Sequence, residues 1–196
     1  MTPERDRPPG EPDFEAMYRA DHDPWHVESS WYERRKLAVL LASLPRERYR
    51  RAWEPGSGPG VTSQALAVRV DDLVASDGSP TALELAHRRE GMPPHVRFVR
   101  STLPEVPLPG AVDLVVVAEF LYYLHDRPAA LDAVWSACEP GGHVVFLHWA
   151  HRPHDGFVSG PRLHADIGLD SESRGAAHLV GHVEQDFLLD VYERTR

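Results

Sequence analysis

Across 196 residues, 30 acidic side chains against 21 Lys and Arg give a net charge of -9, which disfavours generic docking on a phosphate backbone. Apolar residues at 42% and charged residues at 26% describe an ordinary globule, and the length suits one domain with a sizeable core. A single cysteine, Cys138, excludes an internal disulfide and any Cys-rich zinc site.

Residues 1–12 are polar and proline-rich and read as a disordered tail. That start, and the absence of any long apolar run, argue against a secretory leader and a membrane-spanning helix, so the cytoplasm is the expected setting. Residues 13–196 read as one domain, with 13–45 as a helical N-terminal cap. Trp31, Arg35, Ala38 and Leu41 share one face of it, Leu37 and Leu40 add bulk, and Pro45 closes it.

From residue 51 the chain alternates. "AWE" is a short strand running into "PGSGPG" and a helix through Leu66. "DLVASD" is a second strand and "SPTALELAHRR" a second helix, with Ser79 at the N-cap and Pro80 at the first helical position. "VRFVRS" is a third strand. In "AVDLVVVAEFLYYL" the apolar run Leu114 to Val117 predicts a fourth, covered on both faces. Leu131, Val134, Trp135 and Cys138 give "DRPAALDAVWSACEPGG" a helical face that stops at "PGG". "HVVFLHW" is the fifth strand, and "AHLVGHVEQDFLLDVYERT" is expected to be an antiparallel hairpin. Between them, residues 150–175 form a possible substrate lid with a short helix over 161–167. Alternating strands and helices predict an α/β fold with a mostly parallel sheet and helices on both faces.

The strand, glycine loop and helix at 52–66 create a concave site where a ligand can approach the backbone. Gly56, Gly58 and Gly60 follow the acidic Glu54, and Asp77 closes the second strand at the spacing expected of a carboxylate that holds ribose hydroxyls. A dinucleotide loop would need a third glycine at position 61, which is Val61, and the chain lacks room for a separate substrate domain. A nicotinamide-dependent oxidoreductase is thereby disfavoured.

The same segments, in the same order and spacing, resemble the class I S-adenosylmethionine-dependent methyltransferases: "EPGSGPG", "VASDGSPTALELA", "VRFVRSTLPE", "AVDLVVVAEFLYYL", "EPGGHVVFLHW" and "EQDFLLDVYER". Within that superfamily "MYRADHDPWHVESSWYERRK" and "FLHWAHRP" resemble the nodulation N-methyltransferase (NodS-type) group. The resemblance implies a Rossmann-like, seven-stranded sheet ending in an antiparallel hairpin. It also implies S-adenosyl-L-methionine as donor, with S-adenosyl-L-homocysteine as product. Glu54, Gly56, Ser57, Gly58 and Gly60 would pass beneath its methionine, Asp77 would hold the ribose, and Gly78 and Ser79 would flank the adenosine. The adenine position, acidic in the family, carries Thr102 beside Leu103. Glu119 and Phe120 would lie between donor and acceptor. Trp31, Tyr32 and Arg35 would cover the donor, Arg35 meeting its carboxylate.

For the transfer itself, polar groups at the carboxyl ends of strands are the candidates: Glu119, Tyr122, His148 and His151. "HWAHRPHD" is dense in potential ligands, yet twelve histidines in the chain make local crowding unremarkable, and no metal is expected. The expected activity is methyl transfer by direct in-line displacement to a small polar acceptor, nitrogen slightly ahead of oxygen, on a small molecule or the end of an oligosaccharide. O-methylation and a non-catalytic nucleotide-binding role on the same fold, with Thr102 as its foothold, stay open. No nucleic-acid or membrane partner is expected, and the chain is expected to be a monomer or weak homodimer.

Overall fold

The computed structural model describes residues 10–195. The first nine residues of the expected tail lie outside the described residues. In chain order the elements are α1 (Phe14–Ala20), α2 (Trp31–Ser43), β1 (Tyr49–Pro55), α3 (Val61–Leu66), β2 (Val70–Asp77), α4 (Pro80–Arg88), β3 (Val96–Arg100), β4 (Val112–Ala118), α5 (Arg127–Ala137), β5 (Cys138–Trp149), α6 (Gly160–Ser173), β6 (Ala177–Val183) and β7 (Phe187–Glu193).

The strands form one sheet in the order β3-β2-β1-β4-β5-β7-β6. All neighbours through β5 run parallel, while β7 pairs antiparallel with both β5 and β6. The expected parallel sheet with its terminal hairpin is therefore present. The switch at β1/β4, where the strand order reverses, opens a crevice at the carboxyl edge, the usual ligand position in such sheets.

β4 is central, and Leu114, Val115, Val116 and Val117 are all fully buried. Alternation sends Val115 and Val117 to one core with Phe146, Val134, Leu163 and Ile167. Leu114 and Val116 meet Leu40, Leu66, Val145 and Leu189 on the other. Each fully buried aliphatic contributes about 1.5–3 kcal/mol, so this layered burial dominates the favourable side of folding.

Three features differ from the periodicity. Cys138 opens β5 instead of closing the preceding helix, and "EPGG" lies within that strand. Gly141 adopts φ +78 and the β4/β5 register shifts between Val112 and Leu114, so a bulge absorbs a sequence that reads as a stop. α6 is twice the expected length because Leu163, Ile167 and Ser171 bury one stripe at four-residue intervals, overriding the polar "DSES". In α2 the buried residues are Lys36 and Leu40, with Leu44 next on the same line, whereas Trp31 is 70% exposed. A lysine on a buried stripe demands a partner.

Candidate functional site

β1 delivers the chain to the carboxyl edge of the sheet, where the glycine loop turns it into α3. Gly56, Gly58 and Gly60 have φ of +68, +53 and +78, a region that costs any residue with a Cβ. Space forbids a side chain as well. A Cβ on Gly56 would meet the Phe120 ring at 2.6 Å, and one on Gly58 the Tyr18 hydroxyl at 2.7 Å. Gly60 sits behind the loop at the start of α3, so its role is the turn itself.

Asp77 ends β2 and ties the loop down. Its Oδ2 accepts from the Gly58 N–H at 2.9 Å and its Oδ1 from the Ser79 N–H at 2.8 Å. Burial raises its carboxyl above the usual value, opposed by those backbone donors. A carboxylate has about four acceptor sites, so acceptor capacity remains for a ligand. A Cβ on Gly78 would meet the Thr102 methyl at 2.6 Å, so these two residues pack closely at the cleft.

Glu54 is only 2% exposed, and its Oε2 accepts from the Ser63 hydroxyl at 2.5 Å. Burial pushes its pKa up to about 8, so at neutral pH it is an acid with a proton to donate. Ser57, at the bottom of the loop, has a buried hydroxyl with no partner. A lined cradle with an orphaned donor and spare carboxylate acceptors fits a ligand that brings its own hydrogen-bonding edge.

An open cleft of about 2520 Å³ runs along this edge. Glu54, Ser57, Asp77, Thr102, Leu103 and Phe120 line it, together with Gly56, Gly58, Gly78 and Ser79. The N-terminal helices form its opposite wall. Glu15 of α1 accepts from the Ser79 and Thr81 hydroxyls at 2.6 and 2.9 Å and from the Thr81 N–H at 3.1 Å, so it caps α4 from across the cleft. Phe14 and Tyr18 pack on Trp25, and Phe14 also packs on Tyr123.

At the far end of the cleft Glu119 follows β4 in the left-handed region, at φ +64. Its Oε2 accepts from the Tyr122 hydroxyl at 2.5 Å and from the Trp149 N–H at 2.9 Å, while its Oε1 accepts from Lys36. Lys36 also donates to Glu33 at 2.9 Å and lies 4.8 Å from the centre of the Tyr32 ring. Burial alone would pull its ammonium down, but Glu119 and then Glu33 outweigh that and hold it above the usual lysine value. Burial, reinforced by Glu119, raises the Tyr122 phenol well above its ordinary range.

Several candidate residues lie elsewhere. Arg35 points from α2 to the terminal hairpin, where it forms a two-pronged pair with Glu184 at 2.5 and 2.7 Å. Trp31 is exposed beside Arg34, whereas Tyr32 lines the cleft and donates to the Asp186 carbonyl at 3.0 Å. His148 is fully buried behind Tyr122, its Nδ1 3.1 Å from His164 Nε2. His164 in turn bonds Asp190 at 2.5 Å. Burial, and then His164, holds the His148 imidazole well below its usual value and hence neutral. His151 is outside the cleft, 3.2 Å from Asp186. Lys36 and Glu33 are the residues the sequence reading overlooked; the four-residue spacing of Lys36, Leu40 and Leu44 was the available signal.

With this geometry in view, the family profile described as "Methyltransferase domain" matches residues 53–146, from β1 into β5. A crystal structure of a candidate methyltransferase from Pseudomonas syringae is 41% identical, covers 84% of this chain and 100% of its own, and superposes with a TM-score of 0.72. The chain belongs to the class I S-adenosylmethionine-dependent methyltransferases. Among structures of methyltransferases with ligands, the N-methyltransferase NodS from Bradyrhizobium japonicum WM9, in complex with S-adenosyl-L-homocysteine, is 25% identical. It covers 92% of this chain and 97% of its own, with a TM-score of 0.75. Nodulation protein S of Rhizobium tropici is 35% identical over 131 residues, 65% of this methyltransferase chain. The chain spans only 55% of that relative's length, and 61% of the Sinorhizobium fredii counterpart's.

Proposed function

We propose that the cleft binds S-adenosylmethionine and that its methyl group passes to a small polar acceptor, an amine, by direct in-line displacement. The observation that carries the reading is the joined pair of glycine loop and Asp77, closed over by α1 with the Ser57 hydroxyl left unpartnered. The loop backbone, Ser57 and Glu54 would hold the methionine end. Asp77 would take the ribose hydroxyls with its remaining acceptor capacity, Thr102 and Leu103 would line the adenine pocket, and Phe120, against Gly56, would stand at the methionine end. When bound, the cofactor supplies a methyl group already activated on a sulfonium.

The chain's own work is positioning, which by itself can supply much of the acceleration. Glu119 is the carboxylate at the reacting end. Tyr122 spends its hydroxyl on Glu119, so it orients that carboxylate and is not free to act as a base. Neutral His148, behind Tyr122 and off the cleft, supports the fold, and His151 turns to Asp186 and does not line the cleft. Carboxylates outnumber Arg and Lys along the cleft wall, which favours capture of an amine as its cation over an anionic acceptor. The amine must then release a proton to solvent or a cleft carboxylate before its lone pair attacks the methyl carbon. A free, buried Cys138 suits a reducing, cytoplasmic setting.

Calorimetry tests the donor half: S-adenosylhomocysteine binds and NAD does not, and Asp77→Ala weakens binding about 10–100-fold, roughly 1.4–2.8 kcal/mol. No heat with S-adenosylhomocysteine would overturn the reading. A methyl-transfer screen across amino sugars, simple amines and hydroxylated small molecules tests the acceptor half, with product on amines expected and product on hydroxyl compounds alone counting against it.

A further inference from the structure

Three polar contacts hold the Glu119 carboxylate, and they come from three parts of the chain. Tyr122 belongs to the turn after β4 and Trp149 to the end of β5, both fixtures of the sheet edge. Lys36 alone, among the described residues, reaches Glu119 from the N-terminal cover. The Glu119 backbone is in the left-handed region, and a residue without glycine's freedom stays there only where its surroundings over-determine it. An ammonium with a side chain 5% exposed is affordable only when paired, and Lys36 reaches the cleft already paired with Glu33 on its own helix.

α2 does not depend on Lys36 for docking. Leu40 is fully buried, Tyr32 bonds the Asp186 carbonyl and Arg35 clamps Glu184. The lysine is therefore surplus to anchoring the helix, and its charge is shared between Glu33 on its own helix and Glu119 on the sheet edge.

We propose that Lys36 is a positioning residue: it fixes the orientation of the Glu119 carboxylate, so that this group is set for the reaction only when α2 is seated. The proposal rests on the cofactor reading above. Besides Lys36, the titratable groups around Glu119 are Glu33 and Tyr32 on α2 and Tyr122 and Tyr123 after β4. Two carboxylates flank the ammonium, so removing it leaves Glu33 and Glu119 facing each other. Such a pair takes up a proton that neither would hold alone, and titrates as a unit.

The test compares two probes by calorimetry: S-adenosylhomocysteine, and sinefungin, whose additional amine stands where the transferable methyl would be. In the wild-type chain the preference for sinefungin stays within about twofold between about pH 5.5 and about pH 8. In Lys36→Met the shared proton leaves as pH rises, so the preference climbs about tenfold over that range. Lys36→Gln, which keeps a hydrogen-bond donor without the charge, gives the same slope should the Met variant fail to fold. Lys36→Arg restores the flat profile. A flat profile in both neutral variants overturns the positioning role, and so does a slope in Lys36→Arg equal to theirs. Failure of S-adenosylhomocysteine to bind the wild-type chain overturns the cofactor reading instead.

Discussion

Glu54 carries a proton that water would take from it, because its carboxyl is sealed beneath the glycine loop with only Ser63 to stabilise a charge. Its folded pKa is about 8 against roughly 4.3 for a free glutamate. Between those values the folded state holds a proton that the unfolded chain has released, so this residue lowers stability as pH rises through that window. Glu54→Gln cannot ionise and escapes the penalty. Thermal melts at about pH 5 and about pH 8 should give the variant a Tm advantage that grows with pH, about 2–4 °C per kcal/mol at this chain length. An advantage that stays constant with pH would contradict the assignment. The placement of Glu54, Asp77 and the glycines was legible in the sequence because it follows from local backbone: a strand ends, a loop turns, and a carboxylate stands at a set distance. Lys36 was not, since the residue that gives it meaning, Glu119, lies 83 positions along the chain.

Among the elements, α1 is a short helix held largely by what it reaches across the cleft. Burial works against the Glu15 charge, but the Ser79 and Thr81 donors outweigh it and hold the carboxyl below its usual value. Glu15 also adds a negative charge at the N-terminus of α4, the favourable end of that helix dipole. Because the latch sits beside Asp77, opening it exposes the expected ribose position. Glu15→Ala should speed S-adenosylhomocysteine dissociation about tenfold, equivalent to ~1.4 kcal/mol, with little change in association. Stopped-flow exchange measures this, and an unchanged off-rate would mean that α1 does not gate the cleft. α4 itself was readable from Ser79 and Pro80. α6 was only half readable, because its polar C-terminal stretch is helical only by virtue of the buried stripe it continues.

In the molecule as a whole, the terminal hairpin is fastened to the sheet by polar contacts as well as by its ladder. His164 on α6 joins His148 of β5 to Asp190 of β7, and Asp190 also bonds His178 of β6 at 2.7 Å. This staple ties three strands and a helix together behind Tyr122. His164→Phe breaks it and leaves buried polar groups unpaired, at a cost of about 2–3 kcal/mol. The corresponding fall in Tm is roughly 5–10 °C. S-adenosylhomocysteine affinity at low temperature should be unchanged; a parallel loss of affinity would mean that the histidines reach the ligand. Among the described residues no helix is long and apolar enough to cross a membrane. The sequence by itself determined the strand–helix alternation, the glycine loop with its carboxylate partner and the terminal hairpin, because each is written in contiguous residues whose spacing reflects backbone geometry. Only the tertiary structure decided that Arg35 serves the hairpin, that His148 is sealed in a staple and that Lys36 meets Glu119. Those outcomes turn on which side chains two distant segments present to each other, and one-dimensional spacing carries no record of that.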